Sequence, residues 1–266
     1  MNVNTRIRRL TEAYSTEQLH DVLSNAGIAG PHSFIRGLDA DYDRDVLIGQ
    51  WLRPLTAADD LRFVVHVDHS EVWVLAERLP WDSEFFGLGM ARLNAVVRPG
   101  RTAATRDDGR EMAQALTAVA DLFKQQRIDY VFAAVSPADL PLIRAISANG
   151  FELIETRCHY HRALSGPPAQ RYATRLARPE DVPSLARAAR VMVNSYDRFH
   201  ADIAIAPAAA DRLMERWVEA SIMDGFADAT IVPDEPEPEA FCTARYHRQH
   251  WEGWKLRLAQ PVLSRP

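Results

Sequence analysis

Two short runs gather side chains able to do chemistry. Leu79-Pro80-Trp81-Asp82-Ser83-Glu84-Phe85-Phe86-Gly87 sets three aromatic rings among two acids. Such rings can line an acceptor pocket, and they can equally form a hydrophobic plug at the start of a strand. Ser195-Tyr196-Asp197-Arg198-Phe199-His200 brings a phenol, a carboxylate, a guanidinium and an imidazole together between two helical stretches. These groups hold polar substrates and move protons, although an ordinary polar connection uses the same residue types. His159 and His161 share one face if their stretch is a strand, with Cys158 on the other. Two imidazoles can begin a metal site, but spacing supplies no third ligand, and His66/His69 and His247/His250 are no better placed. No metal is therefore expected. The chain has no nucleophile elbow, Walker loop, dinucleotide fingerprint or HExxH. Asp234–Glu239 reads as a solvated acidic loop.

The elements that must position these residues follow from periodicity. Thr16–Leu23 reads as a short helix. Phe63–Val67 and Val72–Leu75 read as a hairpin around a polar turn, and Ala91–Val97 as a third strand. Met112, Leu116, Val119 and Phe123 recur at helical spacing, with Asp108 as the cap and Glu111 in capping-box relation. Tyr130–Val135 reads as a buried strand. Ser136-Pro137 starts a helix that Asn149-Gly150 ends, and Phe151–Glu155 and Arg157–Ala163 continue as strands. Right-handed βαβ geometry then pairs Tyr130–Val135 with Phe151–Glu155 in parallel. Ser165-Gly166-Pro167-Pro168 is the best boundary, dividing the chain into 1–165 and 166–266. Beyond it come a strand at Tyr172–Leu176, two helices, strands at Thr230–Val232 and Ala240–Tyr246, and a last strand at Trp254–Val262. The class is α/β with a mixed sheet.

Composition bounds the function. The chain has 266 residues, of which 47% are hydrophobic and 25% charged, with a net charge of −5. That suits a packed core and argues against disorder and against a phosphate-binding surface for nucleic acid. Arg6, Arg8 and Arg9 read as a solvated basic terminus. No apolar run reaches the roughly 20 residues that span a bilayer. Two cysteines and no secretory leader fit a cytoplasmic protein.

Residues Asp129–Val135 with the following helix and Asn149-Gly150-Phe151-Glu152, and residues Thr174–Val182 with the elements after them, resemble the GNAT superfamily of N-acetyltransferases. The Trp81–Gly87 run resembles members that act on nucleotide-linked amino sugars. This implies an incomplete N-terminal unit followed by the first half of a second. It also implies acetyl transfer from acetyl-CoA to a small-molecule amine, by direct attack of the deprotonated amine on the thioester. By resemblance, Trp81, Phe85, Tyr196, Arg198 and His200 are acceptor candidates, and Leu258, Ala259 and Gln260 are the fourth-strand coenzyme candidates. The family's Gly-rich loop, which holds a diphosphate on a helix N-terminus, does not follow Trp254–Val262. In the first unit its place holds Thr105–Arg110, where Asp107 and Asp108 would repel phosphates. Weak coenzyme binding and no activity of the chain as given are expected on that ground, with no assigned catalytic residue, and self-association through the last strand's exposed edge. The competing reading is a non-catalytic binding module, or a fragment completed by another chain.

Overall fold

The computed structural model describes residues 6–100, 108–166, 171–192 and 194–265. The chain divides into two compact units, Met1–Glu152 and Leu153–Pro266. Pro167 and Pro168 of the expected boundary lie outside the described residues.

The first unit runs β1 (Arg6–Arg9), α1 (Leu10–Ala13), α2 (Thr16–Ser24), α3 (Ala40–Trp51), β2 (Asp60–Val67), β3 (Ser70–Arg78), α4 (Pro80–Phe86), β4 (Met90–Val97), α5 (Asp108–Gln125), β5 (Tyr130–Ala133) and α6 (Leu140–Ala148). Its sheet has the order β1-β2-β3-β4-β5. The first four strands are antiparallel, and β4 and β5 are parallel. The mixed α/β class is the one expected. The β2–β3 hairpin turns on Asp68 and His69, with Val67 opposite Ser70. Asp68 sits at φ 52°, a left-handed conformation that aspartate tolerates.

Strand alternation sends the sheet's side chains into two clusters. Phe63, Val65, Val74, Ala91 and Leu93 pack with Met112, Leu116, Val119 and Phe123 of α5. Val64, Trp73 and Leu75 pack with Leu10, Leu19, Leu23 and Ile48 from α1 to α3. Each such buried aliphatic side chain contributes about 2 kcal/mol. The strands exceed the expected runs because buried Asp60, Arg62 and Glu77 continue them, and a hydrophobic pattern ends at such residues.

Several expectations are corrected. Arg6, Arg8 and Arg9 lie on β1, where they pair with His66, Val64 and Phe63, and Arg6 and Arg8 stay exposed to solvent. Helix α6 begins at Leu140, because Ser136–Asp139 closes first as a turn (Asp139 N–H to Ser136 O, 2.9 Å) and the Asp139 carboxylate caps the Leu142 amide (3.1 Å). The helix ends as expected. Gly150 at φ 79° lets its own amide reach Ser147 O and the Phe151 amide reach Ile146 O, while Ile146 and Phe151 pack on the core. That stop absorbs Phe151, so Phe151–Glu155 and Arg157–Ala163 are not strands, and His159 and His161 share no strand face. The parallel partner of β5 is instead β4, reached through α5.

The second unit runs β6 (Thr174–Leu176), a 3-10 turn at Pro179–Asp181, α7 (Val182–Arg190), α8 (Arg198–Ala201), α9 (Pro207–Met223), β7 (Ala229–Pro233), β8 (Phe241–Tyr246), α10 (Arg248–Trp254) and β9 (Ala259–Arg265). Its sheet is antiparallel in the order β6-β7-β8-β9. The last strand starts later than expected because α10 occupies Arg248–Trp254 and Lys255 takes the left-handed cap at φ 54°. No helix among the described residues is long and apolar enough to cross a membrane.

Candidate functional site

β4 carries one residue too many for its neighbour. Leu75 and Ala76 are consecutive on β3, yet they face Ala95 and Leu93, so Asn94 is the inserted residue of a bulge. The insertion reverses the alternation. Ala91 and Leu93 face α5, and so does Val96, while Ala95 and Val97 join the cluster around Leu23 and Ile48. On its other edge β4 pairs with β5 from Met90–Tyr130 to Leu93–Ala133, where the ladder stops while β4 continues to Val97. Asn94–Val97 thus lie past the end of the ladder. A strand edge left this way can take an extended, amide-bearing ligand as though it were another strand.

The closed end of this opening is pinned by Gly89. Its carbonyl accepts from the amides of Asp129 (2.7 Å) and Tyr130 (3.0 Å), and its amide donates to the Asp129 carboxylate (3.0 Å). A Cβ at position 89 would lie 1.7 Å from the Arg127 carbonyl oxygen, so only glycine admits this approach.

Beyond the other end, Arg98 follows β4 and pairs with two acids in the first turn of α5. It reaches the carboxylates of Asp108 and Glu111, the latter at 2.8 Å. The Ser70 hydroxyl accepts from Arg98 and donates to Glu111, both at 3.0 Å. Asp108 is buried and is the first residue of α5 rather than its cap. It shares the single cation Arg98 with Glu111, so the cluster of the three groups keeps one negative charge. Asp107 lies outside the described residues.

Next to the opening is a charged array on the α3 side of the sheet. The Glu77 side chain is 2% exposed and holds Arg92 Nη2 at 2.5 Å and Arg53 Nη2 at 2.6 Å. Asp60 stands opposite Glu77 and takes Arg62 at two positions, each 2.8 Å. Burial pushes the Asp60 carboxyl up, but hydrogen bonds and charge from Arg62 outweigh it and hold the group below the usual carboxylate range.

The residues singled out from sequence are placed as follows. Trp81 and Phe85 stack one helical turn apart on α4, with centroids 5.5 Å apart and planes 9° from parallel, and Phe86 meets Phe85 edge-on. The run is thus a helix before β4, not the start of a strand. In the second unit Tyr196 is 85% exposed. The Arg198 guanidinium lies 4.4 Å from the Phe199 ring centre, and its backbone amide donates to Glu155. His200 is held on both ring nitrogens, by Asp197 (2.7 Å) and Asp211 (3.3 Å), while Asp197 also caps α8. Neither acid was singled out from sequence; the Asp-x-x-His spacing is the local signal that could have found Asp197, while Asp211 on α9 had none.

Leu258 O accepts from the His247 amide and Trp251 Nε1, while Ala259 and Gln260 pair with Tyr246 and Arg245. The register shift in that strand lies later. Cys242 and Ala244 face Ser264 and Pro261, one residue more than the spacing on β8. Thr243 Oγ1 fills the irregularity by accepting from the Leu263 amide at 3.0 Å. Both units therefore carry an inserted residue in the fourth strand of their sheets. Asn94, Gly89 and Arg98 were not singled out from sequence. Asn94 had a faint signal, since asparagine is a poor strand former inside Ala91–Val97.

The two units define an α/β protein with a mixed sheet in one and an antiparallel sheet in the other. No protein-family model matches the sequence, and no curated protein does. Among solved structures the chain is similar to an aminoglycoside acetyltransferase from an uncultured soil metagenomic sample, crystallised with sisomicin. That match has 10% identity and a TM-score of 0.37, covering 61% of this chain and 97% of that one. A ribosomal-protein-alanine N-acetyltransferase from Brucella melitensis matches at 14% identity and a TM-score of 0.34, over 61% and 99% of the two chains. A glucosamine-6-phosphate N-acetyltransferase from Arabidopsis thaliana matches at 12% and 0.33, over 59% and 98%. At these values the likeness carries no activity to this chain.

Proposed function

We propose that the first unit receives the extended arm of acetyl-CoA in the opening between β4 and β5, and that the protein is an N-acetyltransferase for a small-molecule amine. The observation that carries this reading is the coincidence of the Asn94 insertion with the end of the β4–β5 ladder at Leu93–Ala133. Acetyl-CoA supplies an activated thioester. This chain's part is to offer backbone N–H groups of Asn94–Val97 to amide and carbonyl oxygens and to exclude water with the apolar wall around Leu93 and Val96. The long helix α5 starts just past the opening in sequence, and Arg98 offsets one of the two acidic charges of its first turn.

Within the resemblance, the Trp81–Gly87 run is most like dTDP-fucosamine acetyltransferase, and a nucleotide-linked amino sugar is the acceptor we favour. Trp81 and Phe85 then supply an aromatic wall for it. Tyr196, Arg198 and His200 stay acceptor candidates of the second unit, and Leu258, Ala259 and Gln260 its coenzyme candidates. One observation favours the competing reading of a non-catalytic module: both nitrogens of His200 are already engaged by carboxylates.

Hydrogen exchange of the full chain with and without millimolar acetyl-CoA tests the proposal. Slowed exchange is expected at residues 90–97 and 130–135, together with a rise in thermal stability. Saturation to 100 times the dissociation constant corresponds to about 2.7 kcal/mol. No protection in either unit refutes coenzyme binding. Protection confined to Ala259–Arg265 moves the site to the second unit. Protection without product on a panel of amines supports the non-catalytic module.

A further inference from the structure

We infer that Arg53 and Arg92, tethered by the buried Glu77 carboxylate, form a subsite for an oxyanion, a phosphate or carboxylate carried by the amine acceptor. This rests on the proposed site, whose opening lies next to it. Arg92 pairs with Phe132 in the β4–β5 ladder, one position before its last pair, Leu93–Ala133.

The charges of the array do not balance. Arg53, Arg62 and Arg92 face Asp60 and Glu77, leaving one positive charge in excess. Arg62 is consumed by Asp60, which it grips at two nitrogens, and by the carbonyls of Trp51 and Arg53. The excess therefore falls on the pair that shares Glu77. Arg92 donates Nη2 to Glu77, and Arg53 Nη2 lies 2.6 Å from the same carboxylate. Arg53 donates to the Gln50 carbonyl at 3.0 Å. Arg92 Nε is buried and has no hydrogen-bond partner among the described residues, an arrangement that costs free energy until something accepts from it. Both side chains are nevertheless open to solvent, 48% and 42% exposed, while their shared carboxylate is sealed at 2%.

Here the carboxylate is sunk and the cations stand above it, with their orientation set in advance. Such preorganised forks suit the paired oxygens of a carboxylate or phosphate better than a flexible ammonium would. Glu77 keeps the two cations together against their own repulsion, so it acts as a positioning residue.

The test uses the full-length chain and inorganic phosphate as the probe, titrated by calorimetry at constant ionic strength without coenzyme. Saturable binding is expected in the wild type. In Arg92→Gln and Arg53→Gln it should weaken about tenfold or more, the loss of one charged hydrogen bond. Should Arg92→Gln fail to fold, Arg92→Lys keeps Glu77 paired but removes the fork and should still weaken phosphate. Arg187→Gln, at an exposed arginine of α7 that pairs only loosely with Glu237, should bind as the wild type does. Acetate in place of phosphate separates the two oxyanions: binding of either supports the subsite and names its source. No saturable binding of either, or full binding in the Arg92 variants, overturns it. A second arm compares acetyl transfer to phosphoethanolamine, glycine and ethanolamine, with a lower KM expected for the anionic amine whose oxyanion bound. Absence of transfer to all three with phosphate binding intact counts against transfer to these small amines and leaves the subsite standing.

Discussion

Replacing Gly89 with alanine perturbs the point where β4 and β5 meet. The added Cβ would sit 1.7 Å from the Arg127 carbonyl oxygen, against a floor of 3.0 Å for real Cβ contacts, so the two chains must part by 3.0 − 1.7 = 1.3 Å. Its neighbour there is backbone, which cannot swing aside as a side chain does. That displacement stretches the bonds from Asp129 and Tyr130 to the Gly89 carbonyl, now 2.7 and 3.0 Å. Overpacking of this kind costs roughly 2 kcal/mol, and each weakened hydrogen bond about 0.5–1 kcal/mol. The sum is about 3 kcal/mol, or roughly 6–12 °C in the unfolding temperature of a domain of this size. Gly49→Ala is the matched control. Gly49 lies on α3, and a methyl group added to it would meet nothing within 4 Å, so alanine there should stabilise by about 0.5–1 kcal/mol through helix propensity. Differential scanning calorimetry of both variants in the full chain measures the difference. Hydrogen exchange at Tyr130–Ala133 should rise in Gly89→Ala only. An unfolding temperature for Gly89→Ala within a degree of wild type would refute the close approach and the pinned end of the opening built on it.

In the second unit, Arg175 grips the Asp181 carboxylate at 2.6 and 2.8 Å, and that hydrogen bonding holds Asp181 below the usual carboxylate range. A depressed folded value means the pair's stabilisation is fully present above the ordinary value of about 3.9 and is lost as pH falls through the folded value. Acid unfolding followed by circular dichroism should therefore begin at higher pH in Arg175→Gln than in wild type; coincident curves would count against the pair. Burial pushes the Cys242 thiol up, whereas Cys158 is exposed. Mass spectrometry after brief maleimide treatment at neutral pH should find Cys158 modified first, and faster labelling of Cys242 would show that β8 opens readily.

Local signals were legible in the sequence wherever both partners of an interaction lie within a few residues. Ser15 and Gln18 close a capping box on α2, Asn149-Gly150-Phe151 stops α6 through its own amides, and Asp68-His69 turns the hairpin. Helix α5 was readable from its apolar period alone, because one face of it meets a sheet. The pairing of strands was not. Phe151–Glu155 looks as β-prone as Tyr130–Ala133, but what makes the latter a strand is Gly89 and β4, some 40 residues earlier in the chain. The inserted Asn94 shows only against the register of β3, and the end of the ladder only against β5. Arg53, Glu77 and Arg92 are ordinary residues taken apart, and become an array because β3 and β4 are adjacent and the end of α3 lies over them. A hydrophobic period reports how a segment meets an apolar surface; which segment lies beside it, and at what register, is set by distant backbone hydrogen bonds and packing. The candidate site consists of such places, so its elements were readable one by one while its geometry came only with the tertiary structure.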